Sequence, residues 1–251
     1  MGRPMRTDGT TVSRRLVERC RLLVYRAGFQ VSRETFKRRF VQALHTHGID
    51  TVLDIGANRG QFGGLLRQSG FTGRIVSVEP LAAAVEALTT AAGNDPRWTV
   101  ERAAVSDHAG GLTVHVSANS VSSSVLPMAE RHASAAPQSR YVGSEDVPAT
   151  TVDDLVARHG VDPASTLLKI DVQGYEAQVL DGGAATLPRL AGLRTEMSLV
   201  PLYDGQALLP DILARLSGCG LELWFVDEGF LEPGTGRLLQ VDGTFFRQDS
   251  G

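Results

Sequence analysis

Apolar residues recur at the helical period from Val12 to Ala27 (Leu16, Val17, Cys20, Leu23, Val24, Ala27), with Arg14, Arg15, Arg19, Arg21 and Arg26 elsewhere around the turn. That pattern predicts a basic amphipathic helix. A second helix is predicted from about Ser32 to His47, with Phe36, Phe40 and Leu44 on one face, Ser32 as N-cap and Gly48 as stop. Beyond Gly48 short apolar runs alternate with helical stretches. Strands are predicted at Thr51–Ile55, Arg74–Glu79, Thr99–Val105, Leu167–Val172, Leu193–Met197, Leu221–Val226 and Gly243–Arg247, with an added hairpin strand at Leu112–Ser117. Helices are predicted at Gln61–Gln68, from about Leu81, at Thr151–His159, from Glu176, and within Ala207–Leu216. Strands separated by helices imply an α/β fold with a mostly parallel sheet covered on both faces, closed by an antiparallel pair.

One segment breaks this rhythm. Residues Ser117–Ala149 include eight serines and few apolar side chains, so a long irregular excursion is expected there, of the kind that serves as a substrate loop or lid. The chain accordingly divides into a basic helical extension over residues 1–48 and one larger domain over 49–251.

Composition narrows the class. With 251 residues, 42% hydrophobic and 21% charged, the chain can bury a sizeable core and is neither collagen-like, coiled-coil nor wholly disordered. No run approaches the roughly 18 apolar residues of a membrane span, and no apolar leader precedes a small-residue cleavage site, so secretion is not expected. Cys20 and Cys219 lie far apart and outside any metal-site spacing, which suits a cytoplasmic location. The net charge of −3 conceals an asymmetry: residues 1–40 hold eleven Arg or Lys against Asp8, Glu18 and Glu34. A basic arm on an acidic body predicts contact with an acidic partner or a membrane surface.

The stretch Val52–Gly60 (VLDIGANRG) carries the most chemistry. It runs from the carboxyl end of the first sheet strand into a helix, the crevice where open α/β sheets bind ligands. Gly56 permits a tight turn close to a ligand, and Gly60 lets the helix begin beside it. A dinucleotide fingerprint needs glycines where Asn58 and Gln61 stand, so that reading fails. S-adenosylmethionine has no phosphate and is served by an acidic strand end and a looser turn, here expected to be Gly56, Asn58 and Gly60. Asp54 is then expected to accept hydrogen bonds from its ammonium end or from ordered water, Glu79 with Pro80 from its ribose hydroxyls, and Asp107 with Val105 and Ser106 from its adenine.

The motifs VLDIGANRGQF (Val52–Phe62), Val78-Glu79-Pro80, AVSD (Ala104–Asp107), LKIDVQGYE (Leu168–Glu176) and EMSLVPLY (Glu196–Tyr203) together resemble the FkbM-type S-adenosylmethionine-dependent methyltransferases over residues 50–248. The resemblance implies a Rossmann-like class I methyltransferase fold: a seven-stranded sheet whose last strand is inserted antiparallel. It also implies O-methylation of a hydroxyl on a sugar moiety, glycolipid or other secondary metabolite. One position often written Glu in that family is Gln173 here.

Lys169 and Asp171 share one face of a predicted central strand, and a buried ammonium must be paired. Asp171 and Glu196, at the end of the next strand, are the expected partners, and the three form the candidate catalytic cluster. Two carboxylates in a crevice can hold Mg²⁺, but no second ligand set supports a metal. Asn119, Ser122, Ser123, Ser124 and Gln173 are expected to meet a polyhydroxylated acceptor, with Tyr203 stacking on its ring. His108 and His132 are the histidines nearest the loop. Rival functions are nucleic-acid methylation and a silent methyltransferase-like binding module. Lys169 is the single lysine beyond residue 40, and neither a Pro-Pro-aromatic nor a Pro-Cys motif is present, so no nucleic-acid partner is expected.

Overall fold

The computed structural model describes residues 36–248, so the helix predicted from Val12 to Ala27 lies outside the described residues. By internal contacts the chain forms two units, Met1–Arg39 and Phe40–Gly251. The first described helix, α1 (Phe36–Thr46), buries Phe40, Val41, Ala43 and Leu44 and ends before Gly48, whose φ of +63° stops it. Among the described residues no helix is long and apolar enough to cross a membrane.

Alternation then builds one sheet. Its strands in chain order are β1 (Thr51–Ile55), β2 (Arg74–Val78), β3 (Trp98–Glu101), β7 (Thr166–Ile170), β8 (Gly192–Ser198), β9 (Leu221–Glu228) and β10 (Gln240–Arg247). The spatial order is β3-β2-β1-β7-β8-β10-β9, with β10 antiparallel to both β8 and β9. This is the seven-stranded, mostly parallel sheet with an inserted antiparallel last strand that the motifs imply. β1 and β7 are buried at every position because both their faces are covered, which is why they read as apolar runs rather than alternating ones. On one face Leu53, Ile55, Leu168, Ile170 and Leu193 pack with Leu155 of α5 (Val152–His159), Val179 of α6 (Glu176–Asp181) and Leu216 of α7 (Leu209–Gly218). The other face lies under Phe40 and Phe62, the latter on α2 (Gln61–Gln68), whose rings meet edge to face at 5.9 Å. α2 comes so close to the sheet that a Cβ on Gly63 would stand 2.2 Å from the Trp98 ring.

Two expectations need correction. The predicted third strand breaks in two: β3 stays on the main sheet, whereas β4 (Ala104–Val105) joins a second sheet of order β4-β6-β5. The Ser117–Ala149 excursion is not irregular throughout. It holds α4 (Glu130–Ala135), a 3₁₀ turn at Pro137–Ser139, and most of the ten-residue strand β6 (Tyr141–Thr150), antiparallel to β5 (Gly110–Ser117). Much of β6 faces solvent, with even Val142 exposed, so too few of its residues are apolar for a hydrophobic pattern to show.

Candidate active site

At the carboxyl ends of β1, β2 and β7 lies a cavity of about 360 Å³. The turn after β1 forms its floor. Gly56 has φ +70° and lies so close to the end of β7 that a Cβ there would meet the Asp171 carbonyl oxygen at 1.9 Å, so this turn requires glycine. Asn58 is also left-handed (φ +47°), its Nδ2 donates to the Ser120 carbonyl at 3.2 Å, and its buried Oδ1 has no hydrogen-bond partner. Glu79, just past β2, accepts from the backbone N–H of Asn58 (2.8 Å) and of Leu81 (3.1 Å). Burial nevertheless pushes its carboxyl up to about 7, the two N–H donors only partly offsetting it. Leu81, Ala103, Ala104, Val105 and Val114 supply an apolar wall next to it.

The other half of the cavity is built by strand register. Ser77, Asp54, Lys169, Arg194 and Thr244 stand in one row across β2, β1, β7, β8 and β10. Trp98 Nε1 donates to Ser77 Oγ (3.0 Å), Ser77 Oγ to Asp54 Oδ2 (3.1 Å), and Lys169 Nζ lies 3.1 Å from Asp54 Oδ1. Directly above, toward the strand ends, runs an acidic row: Asp171, Glu196, Asp242 and Asp227. Each cation of the lower row faces it, Lys169 reaching Asp171 at 3.5 Å and Arg194 reaching Asp242 at 3.0 Å and Asp227 at 2.9 Å. Lys169 also sits 5.8 Å from the Phe62 ring centre and Arg194 5.6 Å from that of Phe40. Burial works against the Lys169 charge, but Asp54 and Asp171 outweigh it and hold the ammonium above its usual range.

Glu196 has no cation within ion-pairing distance among the described residues. Two amides serve it instead: Gln173 Nε2 donates to its Oε2 at 3.0 Å and Gln240 Nε2 at 2.8 Å. Burial, then the charges of Asp171, Glu176 and Asp242, push its carboxyl well above the ordinary range. Burial also raises Asp242, with Arg194 opposing. Glu176 accepts from the N–H groups of Val172 and Gly174, both at 3.2 Å, and is raised to about 7, again by burial.

Of the residues singled out from sequence, Gly56, Asn58, Glu79, Pro80, Val105, Ser123, Ser124, Lys169, Asp171 and Gln173 line the cavity. Several others do not. Asp54 is fully buried beneath it and committed to Ser77 and Lys169, so the expected direct contact with an ammonium ligand is replaced by support of Lys169. Gly60 (φ +85°) packs α2 against Leu88 and Ala91 of α3 (Ala82–Ala92). Asp107 is exposed and bonded to Ser106 and His108, while the buried Ser106 also meets Tyr175. Asn119 and Ser122 brace the loop against Ser139. Tyr203 is fully buried, packed on Gly174 and edge-on to His132, so it has no face for a sugar ring. Burial lowers His132. Lys169 pairs with Asp54 and Asp171 rather than with Glu196, because β1 places Asp54 directly opposite it. Phe62, Arg194 and Asp242 line the cavity without having been predicted. The available signal was Arg194, a basic residue in the middle of a predicted strand.

The residues present suit S-adenosylmethionine. Glu79 can accept from ribose hydroxyls, the apolar wall can take adenine, and the unpartnered Asn58 Oδ1 can accept from an ammonium group. Among the described residues no group of His, Cys, Asp and Glu is arranged to hold a metal ion.

Among curated proteins, the chain is 29% identical over 171 residues to the 2-O-methyltransferase NoeI of Sinorhizobium fredii, covering 66% of this chain and 70% of that one. Among solved structures, it resembles a TehB-like SAM-dependent methyltransferase from Corynebacterium glutamicum (17% identity, 95% and 99% of the chains, TM-score 0.41). It also resembles the magnesium protoporphyrin IX methyltransferase of Synechocystis with bound SAM (12% identity, 98% and 100%, TM-score 0.45). The profile of the methyltransferase FkbM domain matches residues 54–223, the span from the Asp54 strand end through β8 and into β9. With that match over most of the sheet, the chain belongs to the FkbM methyltransferase family and is an S-adenosylmethionine-dependent methyltransferase.

Proposed function

We propose that the protein is an O-methyltransferase acting on a hydroxyl of a sugar moiety or a glycosylated secondary metabolite. The observation that carries this reading is Asp171. Its side chain is 43% exposed at the cavity rim, while Lys169 holds Oδ2 from below and Gln173 holds Oδ1. A hydroxyl is a poor nucleophile while protonated, and a positioned carboxylate that takes its proton contributes typically ~10²–10⁴-fold. S-adenosylmethionine, when bound, supplies a methyl group on a positively charged sulfur.

The chain's own residues do the rest. Glu79, Asn58 and the apolar wall hold the donor. Lys169, 3.5 Å away, holds the Asp171 carboxylate in direction. Both cations lining the cavity, Lys169 and Arg194, are committed to carboxylates, so the site favours a neutral polyhydroxylated acceptor over an anionic one. The relative named as a 2-O-methyltransferase supports oxygen as the methylated atom. Incubation with labelled donor and a panel of neutral glycosides, read by mass spectrometry, should show a product heavier by one CH₂ group. Asp171→Asn should lower kcat ~10²–10⁴-fold with donor affinity little changed. Undiminished kcat in that variant would remove Asp171 from the reaction.

A further inference from the structure

We propose that Gln173 is a positioning residue that makes Asp171, and not Glu196, the group that takes the acceptor's proton, by tying the two carboxylates through an amide that cannot pass a proton between them. The inference rests on the O-methyltransferase reading and assigns a role within the same site.

The geometry is specific. Gln173 sits in the tight turn after β7 with φ +55°, a conformation costly for a residue other than glycine. Its carbonyl accepts from Ser124 Oγ at 2.7 Å, fixing the turn to the loop. Its side-chain amide is fully used: Nε2 donates one hydrogen to Asp171 Oδ1 (2.9 Å) and the other to Glu196 Oε2 (3.0 Å), while Oε1 accepts from Tyr203 Oη (2.9 Å). The reverse orientation would point Oε1 at two carboxyl oxygens, so the pairing itself fixes which end faces the acids.

The groups facing Asp171 and Glu196 explain why this position matters. Lys169 comes from β7, Glu176 from α6, Asp242 from β10, and Tyr203 from the segment after β8; Arg194 lies one row below and neutralises Asp242 and Asp227. Asp171 lines the cavity and has a cation and an amide donor, whereas Glu196 lies outside the cavity lining and has two amide donors and, among the described residues, no cation within ion-pairing distance. Burial and the charges of Asp171, Glu176 and Asp242 hold the Glu196 carboxyl well above the ordinary range, and Asp171 is the carboxylate exposed at the cavity rim. In the transfer, the acceptor oxygen bonds to the methyl carbon, the carbon–sulfur pair stays on sulfur, and the acceptor's proton goes to Asp171. A carboxyl in place of the amide would connect the two acids by proton-sharing hydrogen bonds and add a third acidic group to them.

The test uses the full chain, with Gln173→Glu to exchange the donor for an acid and Gln173→Gly as a variant that the left-handed backbone tolerates. Carboxyl-carbon NMR titration needs no acceptor. The Asp171 midpoint should move up by about one pH unit in both variants, since each removes a hydrogen bond to the ionised form. In glycoside turnover, the acidic limb of the kcat profile should move up by a similar amount, with kcat lower and the melting temperature of Gln173→Gly within a few degrees of the parent. An unmoved Asp171 midpoint in both variants overturns the proposal, as does a parent in which Glu196 ionises before Asp171. Full turnover by Asp171→Asn, with the midpoint still shifted by Gln173→Gly, would overturn the assignment of the proton to Asp171 while leaving the amide tie standing.

Discussion

The two halves of the cavity are built on different principles. The donor half takes its shape from backbone: the Gly56–Asn58 turn, the end of β2, and one carboxylate held by two N–H groups. The acidic rim takes its shape from side chains on β7, β8 and β10, brought side by side only by strand register. A backbone-built site tolerates side-chain change at its edges. A register-built site depends on each partner having its counterpart, because an uncompensated buried charge is expensive.

That contrast is broken or sharpened most strongly at Lys169. Lys169→Met leaves the fully buried Asp54 without its cation and should destabilise the fold by ~3–5 kcal/mol, read by denaturant unfolding. A loss below about 1 kcal/mol would show that the rim does not depend on paired charge in this way. Next comes Glu79. Glu79→Gln should weaken donor binding about 10–100-fold by calorimetry, the range of a hydrogen bond to a charged group. Because burial raises Glu79 to about 7, donor affinity should tighten as pH rises through about 7, and the variant should lose that dependence. The stability sign is opposite. A carboxyl raised in the folded state costs nothing while also protonated in the unfolded chain, so stability should fall as pH climbs from the ordinary glutamate value of 4.5 to about 7. The smallest effect is expected at Asp107, whose exposed carboxylate is bonded to His108 and does not line the cavity. Asp107→Ala should change donor affinity by no more than about twofold.

The same contrast explains what could be read from sequence. The main-sheet strands, the glycine turn and Glu79 were legible because each is a local pattern: an apolar run, a left-handed residue, an acid just after a strand. The rim was not. The last strand was expected to begin at Gly243 but begins at Gln240, and those three residues hide Gln240 and Asp242, both of which belong to the site. In sequence Asp54 has the position of a ligand contact, an acid near the end of an apolar run. Only the pairing of β1 with β7 shows that it faces Lys169. The residue type of Tyr203 suggests a stacking ring, whereas its neighbourhood, Gly174 beneath and His132 beside, is a matter of tertiary packing.

The row through Ser77, Asp54, Lys169, Arg194 and Thr244 also bears on how the chain finds its fold. In β1 and β7 every residue is buried, so hydrophobicity scarcely distinguishes one alignment of the two strands from the next. The ion pair does. A slip of one residue would turn Lys169 toward the aliphatic layer of Leu155 and Val179 and set Asp54 against a hydrocarbon side chain. The charges that support the rim thus act during folding as a proofreading step for the central strands, rejecting misaligned pairings that burial alone would accept.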